Sequence, residues 1–234
     1  MRCLGATLAS PDPVLSQEAF MSRITVIGGT GYTGAAIVSE ALARGHEVTV
    51  VSRSIPSSPV EGATYINGSA LDSEVLDLAF QGADAVVSST TSRGEAGEAA
   101  PKIASALAER AAASGTRILV VGGFSSLRPA AGEPRVIEGD VPEQYLSEAQ
   151  AGHDSLEVLL AAPESVNWTF FSPAAHYGSW VDGEPSGSYK LGGEVMLLDP
   201  ETGTSYLHAD DLADAILDVF ESGEHSREHV SVVS

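Results

Sequence analysis

Residues 24–34 read Ile-Thr-Val-Ile-Gly-Gly-Thr-Gly-Tyr-Thr-Gly and decide the fold of this 234-residue chain. An apolar run typical of a buried strand ends there in a glycine-rich turn, after which Ile37, Val38, Ala41 and Leu42 recur at helical spacing. A strand that feeds a helix through such a turn points backbone N–H groups and the positive end of the helix dipole at one place. An anion is expected there, and a dinucleotide pyrophosphate fits best.

Three glycines in this stretch, Gly28, Gly31 and Gly34, form the pattern G-x-x-G-x-x-G, with Thr30 and Thr33 between them. Gly28 lets the chain leave the strand through a turn whose φ a side chain would resist. Gly31 leaves room for a phosphate to approach the backbone, and Gly34 lets the helix pack closely on the strand. A lone glycine triplet is a weak signal, but a strand before it and an amphipathic helix after it are the context that the motif requires.

The length and composition favour one α/β domain, or one domain with a small appended lobe, and the partner that we expect is a small-molecule substrate. Hydrophobic residues make up 43% of the chain, which is enough for a full core, and the formal net charge is −20. Such a charge repels nucleic acid and anionic membranes, so neither is expected as a partner. The single cysteine, Cys3, excludes an intramolecular disulfide and fits a reducing cytoplasm. We expect a cytoplasmic monomer or weak homodimer.

Residues 1–22 carry neither the positive start nor the long apolar centre of a signal peptide. Because Met21 comes just before the first predicted strand, two interpretations stay open: a disordered extension, or a translation start at Met21. We predict that residues 1–22 are a disordered extension and that residues 23–234 form a single NAD(P)-binding domain.

Strand-like and helix-like segments alternate along the rest of the chain, which predicts a parallel sheet with helices on both faces. The fold class is therefore α/β, a doubly wound sheet of the Rossmann type with a small C-terminal substrate lobe. The predicted strands after the first are 46–51, 63–67, 84–89, 117–121, 167–171 (broken by Pro173) and, at an edge, 230–233. The predicted later helices are 72–81, 101–114, 147–162 and one capped by Asp210. Residues 125–146 are predicted as a long loop, and residues 174–205 as short strands of the lobe.

The end of the second predicted strand indicates which dinucleotide binds. Cofactors without a 2′-phosphate are usually marked there by an Asp or Glu that accepts hydrogen bonds from the ribose hydroxyls. Ser52 and Arg53 take that place, and an arginine can pair with a 2′-phosphate while a serine donates a hydrogen bond. We predict NADP, with NAD as the alternative and a solvated surface role as the competing interpretation of Arg53. Asp72 either lies near the adenine or caps a helix.

Four stretches resemble the atypical short-chain dehydrogenase/reductase families, which include the NmrA-like proteins, the biliverdin reductase B-like proteins and the NADH-flavin reductase group. The last group is the most similar. The stretches are Ile-Gly-Gly-Thr-Gly-Tyr-Thr-Gly (27–34), Val-Val-Gly-Gly-Phe-Ser-Ser-Leu (120–127), Asn-Trp-Thr-Phe-Phe-Ser-Pro-Ala (167–174) and Thr-Ser-Tyr-Leu-His-Ala-Asp-Asp-Leu-Ala (204–213). They follow the family's order and together extend the resemblance over residues 23–234.

The resemblance implies a complete dinucleotide site. The residues that it assigns to the pyrophosphate are Gly28, Thr30, Gly31, Tyr32, Thr33 and Gly34. It also implies Arg53 at the adenosine phosphate, Leu71 and Asp72 at the adenine, Ser89 and Thr90 beside a ribose, and Ser172 and Pro173 against the nicotinamide.

The chain departs from the larger short-chain reductase family in its proton relay. That family uses Tyr-x-x-x-Lys, in which the lysine lowers the pKa of the tyrosine so that it can deliver a proton. None of the six tyrosines is followed four residues later by a lysine. A flavin or a quinone can still accept hydride, because solvent can protonate the reduced ring.

Two candidate catalytic residues, Ser125 and His176, lie just after predicted strand ends, where such sites open, and a third, Tyr145, flanks the place where the missing tyrosine and lysine would be expected. His176 is the best candidate acid because its unperturbed pKa lies near neutrality, with a hydrogen-bonded structural histidine as the competing interpretation. Ser125 and Tyr145 are the other candidates. Trp180 either stacks on the substrate or fills the lobe.

Other chemistries lack their motifs. His225 and His229 are four residues apart, but no third ligand is evident, so we predict no metal site and interpret both as surface histidines. Residues 123–127 fail the Gly-x-Ser-x-Gly pattern at its last place, and neither lysine has the spacing of a phosphate-binding loop.

These observations favour an NADPH-dependent oxidoreductase that transfers hydride to a flavin, a quinone or a similar planar acceptor. The alternative is a non-catalytic NADP-binding redox sensor of the NmrA-like type, which would regulate a protein partner. An epimerase or dehydratase is a third interpretation, although such enzymes normally keep the tyrosine and the lysine.

Overall fold

A computed structural model describes residues 21–90 and 95–234 of the chain. Within these residues, eight strands form one sheet in the order β3-β2-β1-β4-β5-β6-β8-β7. The strands are β1 (Arg23–Ile27), β2 (Glu47–Ser52), β3 (Thr64–Asn67), β4 (Ala85–Ser88), β5 (Arg117–Val121), β6 (Trp168–Pro173), β7 (Lys190–Gly192) and β8 (Glu228–Val233). The helices are α1 (Tyr32–Ala43), α2 (Ser73–Phe80), α3 (Glu95–Ser114), α4 (Glu143–Leu160) and α5 (Ala209–Ser222), with 3-10 turns at Phe124–Ser126 and Val136–Glu138.

The sheet separates two apolar layers, as the predicted doubly wound fold requires. One layer is covered by α1 and α5, whose side chains at Ile37 and Leu212 share a cluster with Val26. The other is covered by α2, α3 and α4, whose cluster includes Leu107, Leu156 and the opposite face of β1. Because both faces are buried, the central strands are apolar at nearly every position. The predicted α/β class and Rossmann-type sheet are confirmed.

The order of the strands fixes where a ligand can bind. All pairings are parallel except that of β7 with β8, so the carboxyl ends of β1, β4, β5 and β6 meet at one edge of the sheet. The connections run outward in one direction from β1 and in the other from β4, which opens a crevice between these two strands. The glycine-rich turn after β1 lies at this switch point.

The strand predictions were wrong in two places. The last strand, β8, is not at an edge: it pairs with β6 on one side and with β7 on the other, and five of its six residues are buried. Pro173 does not break the sixth strand but forms its last position, paired with Val232. A proline is tolerated at the end of a strand because it lacks a backbone N–H, and the hydrogen bonding between the strands ends there. Of the predicted short strands in 174–205, only β7 forms among the described residues.

The helix predictions were wrong at three starting points. α3 begins at Glu95, so Pro101 lies inside it; the alanine- and glutamate-rich residues before the proline favour a helix. α4 begins at Glu143, inside the predicted loop. The prediction missed its first turn because that turn is exposed and carries no apolar periodicity. α5 is capped by His208, whose Nδ1 accepts a hydrogen bond from the Asp210 N–H, and not by Asp210 itself.

The N-terminal prediction falls mostly outside the described residues, because residues 1–20 are not among them. Ser22, at the end of that segment, is buried, and its N–H donates to Nδ1 of His46 at 3.3 Å. The assignment of residues 23–234 to one domain with a substrate lobe at 174–205 stays a prediction. In the described part of the chain, no helix is both long and apolar enough to cross a membrane.

Candidate cofactor and active site

The turn after β1 is built from backbone atoms that leave no room for side chains. Gly28 has φ +80°, its N–H donates to the Val51 carbonyl at 2.9 Å, and its carbonyl accepts from the Gly31 N–H at 3.0 Å. A Cβ on Gly34 would overlap that same Gly28 carbonyl oxygen. The first and third glycines of the motif therefore lock the turn against the start of α1.

The N-terminus of α1 is open to a ligand. Gly31 occupies the N-cap position in an extended conformation, and no side chain of the described residues caps the helix. The N–H groups of the first turn, at Tyr32, Thr33 and Gly34, lack intrahelical acceptors by geometry. A Cβ on Gly31 would approach only the Gly28 carbonyl oxygen, at 3.4 Å, so the space above this glycine is open. This cradle fits a pyrophosphate.

Gly29, which the motif analysis left without a role, is also restricted. It is buried, and a Cβ there would lie 2.9 Å from a methyl carbon of Val50 on β2. The tight contact with the next strand explains the second glycine of the pair. The only signal for it in the sequence was the doubling of Gly28 with Gly29.

Ser52 links the turn to the end of β2. Its Oγ lies 2.9 Å from Thr30 Oγ1 and donates to the Ser54 carbonyl at 2.8 Å. Arg53 follows on the surface, its guanidinium held by no hydrogen bond or ion pair to the described residues, while its carbonyl accepts from the Asn67 side-chain amide at 3.2 Å. The structure thus brings Thr30 and Ser52 together, with Arg53 next in the chain, and it shows that Asn67, which the sequence analysis did not name, holds the Arg53 backbone.

On the adenine side, Asp72 is the N-cap of α2 and accepts a hydrogen bond from the Glu74 N–H at 2.9 Å. Of the two interpretations of Asp72, the capping role is the one that the geometry displays. Its neighbour Leu71 is exposed. An exposed apolar side chain is available to pack on a ring, and the assignment of Leu71 to the adenine stays a prediction.

On the β4 side of the crevice, Ser89 packs against the turn and donates its hydroxyl proton to the Ile27 carbonyl at 3.0 Å. Thr90 Oγ1 lies 3.2 Å from Ser88 Oγ. Of the two residues predicted beside a ribose, Ser89 therefore lies next to the turn, although its hydroxyl already donates to the protein backbone.

An aromatic cluster joins the 174–205 segment to the start of α1. The hydroxyl of Tyr177 lies 2.5 Å from Thr33 Oγ1, and its ring lies 5.7 Å from that of Tyr32. The ring of His208, at the start of α5, meets Tyr32 edge-on at 6.1 Å. Burial raises the pKa of Tyr177 well above its ordinary value, although the Thr33 hydrogen bond acts in the opposite direction. Its hydroxyl stays protonated, and the contact fixes the segment over the helix end.

The candidate catalytic residues lie on separate segments. His176 is exposed, and its Nδ1 donates to the Ser205 carbonyl at 3.0 Å, which leaves Nε2 for another partner. Ser125 is half-buried in the 3-10 turn after β5, and Tyr145 is exposed on the first turn of α4. Within the described residues, no hydrogen bond joins these three side chains. Trp180 is 60% exposed, and a Cβ on Gly178 would overlap its ring.

Ser172 is fully buried at the end of β6, so its hydroxyl does not face an open crevice. It donates to the Gly123 carbonyl at 2.9 Å and lies 2.9 Å from Nε2 of His229. Its neighbour Pro173 is also buried, as the last residue of the strand. The resemblance placed both residues against the nicotinamide, and their assignment to that contact stays a prediction.

The surface assignment of His229 was wrong. Because β8 is an interior strand, His229 is buried and its ring meets Phe170 edge-on at 5.3 Å. His225 precedes β8 and pairs with Glu228 at 2.8 Å. Nowhere in residues 21–90 and 95–234 do three or more potential ligands gather as a metal site would need.

The comparison with known families agrees with this geometry. A family model described as NAD(P)H-binding matches residues 28–222, which run from the turn to the end of α5. The chain belongs to the NAD(P)H-binding family. This match confirms the predicted resemblance to proteins that bind a nicotinamide dinucleotide. The affiliation with the NmrA-like proteins stays a prediction.

Individual relatives cover almost the whole chain. The uncharacterized protein YwnB of Bacillus subtilis is 33% identical over 224 residues, which is 91% of this chain and 98% of that protein. The crystal structure of "a putative NADH-flavin reductase" from Streptococcus pneumoniae is 33% identical, with a TM-score of 0.78 and coverage of 91% and 99%. That of a "Putative exported protein" from Burkholderia pseudomallei is 30% identical, with a TM-score of 0.80 and coverage of 92% and 100%.

Proposed function

We propose that the protein is an NADPH-dependent oxidoreductase that passes hydride to a flavin, a quinone or a similar planar acceptor. The observation that carries the proposal is the open cradle at Gly31, where N–H groups of an uncapped helix end lie at the switch point of the sheet. The similarity to the Streptococcus pneumoniae structure, whose name refers to a flavin acceptor, supports the choice of acceptor.

The tasks of the chain in this reaction are binding and orientation. When bound, NADPH supplies the hydride. The N–H groups of Tyr32, Thr33 and Gly34 would hold its pyrophosphate, and Tyr177 would fix the segment that closes over them through its hydrogen bond to Thr33. Since burial raises the pKa of Tyr177, we assign this residue a positioning role and not that of proton donor.

On the acceptor side, we propose that His176 orients the ring. Its Nδ1–H is fixed on the Ser205 carbonyl, so Nε2 points away from that bond and is left to contact the acceptor. Ser125 and Tyr145 would contact the acceptor from the β5 and α4 sides. Because none of these groups forms a relay, protonation of the reduced ring by solvent is the simplest chemistry.

The choice of NADP over NAD depends on Arg53. Its guanidinium is exposed at the end of β2, beside Ser52, where a carboxylate would disfavour a 2′-phosphate. We expect Arg53→Ala to weaken NADPH binding by about 10- to 100-fold, which is about 1.4–2.7 kcal/mol, and to leave NADH binding nearly unchanged. Isothermal titration with both cofactors measures this, with Arg23→Ala, exposed at the amino end of β1, as the control. Equal losses for NADPH and NADH would show that Arg53 does not read the phosphate.

A second candidate is a non-catalytic NADP sensor, favoured by the separate positions of His176, Ser125 and Tyr145. Absorbance assays of NADPH oxidation with FMN, riboflavin and a set of quinones distinguish the two functions. Steady oxidation supports the enzyme. Tight NADPH binding without turnover on any acceptor would reject it and leave the sensor.

We also propose a cytoplasmic protein that is monomeric or weakly dimeric and has no nucleic-acid or membrane partner. The net charge of −20 and the single cysteine support this. Because the Burkholderia pseudomallei neighbour carries the name of an exported protein, location needs its own experiment. Fractionation of the native host and sedimentation of the purified protein test the two parts.

A further inference from the structure

A buried histidine outside the proposed site is connected to the floor of the crevice. His229 lies on β8, is 9% exposed, and stacks edge-on against Phe170. Each ring nitrogen has a partner: Nε2 lies 2.9 Å from Ser172 Oγ, and Nδ1 lies 3.3 Å from an Nη of Arg135. No step of the proposed hydride transfer uses this ring.

The partners determine the direction of the hydrogen bonds. A guanidinium can only donate, so Nδ1 of His229 accepts from Arg135 and the ring proton lies on Nε2. Nε2–H then donates to Ser172, whose own hydroxyl proton goes to the Gly123 carbonyl at 2.9 Å. Burial, helped by the positive charge of Arg135, lowers the pKa of His229 to about 3, which agrees with a neutral ring.

The same Arg135 nitrogen that donates to His229 also donates to the Ser126 carbonyl at 2.6 Å. Its other terminal nitrogen lies 3.0 Å from Glu194, which also pairs with Arg128 at 3.0 Å. His229 is therefore connected to both ends of one short segment: to Gly123 through Ser172, and to Ser126 through Arg135.

That segment, Gly123–Ser126, follows β5 at the carboxyl edge of the sheet and carries Ser125, a candidate for contact with the acceptor. We propose that His229 is a positioning residue that holds Gly123–Ser126 in place through Ser172 and Arg135 and so sets the floor of the acceptor site. The kinetic part of this inference rests on the proposed reductase function. The structural part does not.

The charged and titratable groups that face His229 are Arg135 and Arg128 from the loop after β5, Glu194 after β7, and His153 from α4. With its pKa near 3, His229 stays neutral between pH 5 and 9. We therefore expect the shape of the pH–rate profile between pH 5 and 9 to be the same in a His229 variant as in the wild-type protein.

Three substitutions test the proposal. His229→Leu removes both hydrogen bonds of the ring. Ser172→Ala removes only the hydrogen-bonded connection to Gly123, and His229→Gln restores a donor near the place of Nε2. We expect kcat to fall about tenfold in His229→Leu and less in the other two, because displacement of a contact group slows transfer without weakening a remote cofactor contact. In His229→Leu and His229→Gln, the Kd for NADPH should stay within about twofold. His225→Asn is the control, since Asn tolerates the positive φ at His225.

Hydrogen exchange gives a readout that does not depend on activity. In His229→Leu and Ser172→Ala, the amides of Gly123–Ser126 should exchange faster than in the wild-type protein, while those of α1 should not change. Unchanged exchange in Ser172→Ala, or a wild-type kcat in His229→Leu, would overturn the proposal. If His229→Leu does not fold, Ser172→Ala and His229→Gln decide it. If the wild-type protein turns over no acceptor, the proposed function fails, and the exchange data alone decide the role of His229.

Discussion

The glycine-rich stretch at residues 24–34 and the segment at residues 174–205 meet where Tyr177 contacts Thr33, but they are held in different ways. The turn is fixed by backbone hydrogen bonds and by the absence of side chains at Gly28, Gly29 and Gly34. The later segment has little regular structure. Beyond the short pairing of β7 with β8 and a few backbone hydrogen bonds, it is held by single side chains, such as Tyr177 on Thr33 and Asp211 on Ser186.

This difference decides what can be recognised from sequence. A backbone-built site needs glycine at fixed spacing, so the spacing itself predicts the site. A site held by side chains depends on partners far apart in the chain, as Tyr177 is 144 residues from Thr33. The cofactor class could therefore be predicted, while the acceptor could not.

The largest expected effect comes from breaking the turn itself. A Cβ on Gly34 would lie 2.6 Å from Ser89 Oγ and 2.7 Å from the Gly29 Cα, besides overlapping the Gly28 carbonyl oxygen. Because two of these neighbours are backbone atoms, Gly34→Ala should lower the free energy of unfolding by about 2–3 kcal/mol and abolish NADPH binding. Urea denaturation measures the first and titration the second.

The matched control is Gly193→Ala, where a Cβ would meet no atom within 4 Å. It should leave both the free energy of unfolding and the NADPH affinity close to those of the wild-type protein. If Gly34→Ala were equally harmless, the tight packing of α1 on the turn would not be what fixes this site.

The next substitution is expected to remove the cofactor site without disrupting the fold. Gly31→Val puts a branched side chain into the open space above the first turn of α1, where only the Gly28 carbonyl oxygen is near. We expect the affinity for NADPH to fall by at least about 100-fold, or about 2.7 kcal/mol, with less than about 1 kcal/mol lost in unfolding free energy. Titration and urea denaturation of Gly31→Val and Gly193→Val provide the comparison. An affinity within threefold of wild type would place the pyrophosphate elsewhere.

The fold was predictable where local pattern and tertiary environment agree. Strands β1, β2, β4 and β5 have apolar runs because both faces of the sheet are covered there, and their positions were correct to within one or two residues. The position of β8 was not predictable from the sequence. Whether Glu228–Val233 lies at an edge or inside depends on the antiparallel partner β7, a three-residue strand with no apolar alternation.

The candidate site shows the same division. Gly28, Gly31 and Gly34 were assigned roles that their backbone geometry supports, because those roles are local. His229 was misassigned because its burial follows from the position of β8, and that position is a long-range property. The cap of α5 was misplaced by two residues because an imidazole and a carboxylate can both accept from a first-turn N–H.

The smallest expected effect is on the later segment alone. The carboxylate of Asp211, buried at the start of α5, accepts from the N–H groups of Ser186 and Gly187 at 2.9 and 3.0 Å and from the Ser234 hydroxyl at 2.6 Å. Asp211→Asn replaces one acceptor oxygen by a donor. It should lower the free energy of unfolding by about 1–2 kcal/mol, speed amide exchange at residues 186–187, and leave the affinity for NADPH unchanged.

The pH dependence of the same contact sharpens this test. Burial alone would raise the pKa of Asp211, but the hydrogen bonds from Ser234, Ser186 and Gly187 outweigh it and hold the pKa below its ordinary value. The stabilisation is therefore complete above the unfolded pKa of about 3.9 and is lost as the pH falls through the lower folded pKa. The test is amide exchange at residues 186–187 between pH 3 and 7, corrected for the intrinsic exchange rate. The corrected rate should rise at the acid end in the wild-type protein and in Asp182→Asn, an exposed control. It should not rise in Asp211→Asn. The same acid rise in Asp211→Asn would show that another group holds this segment in place.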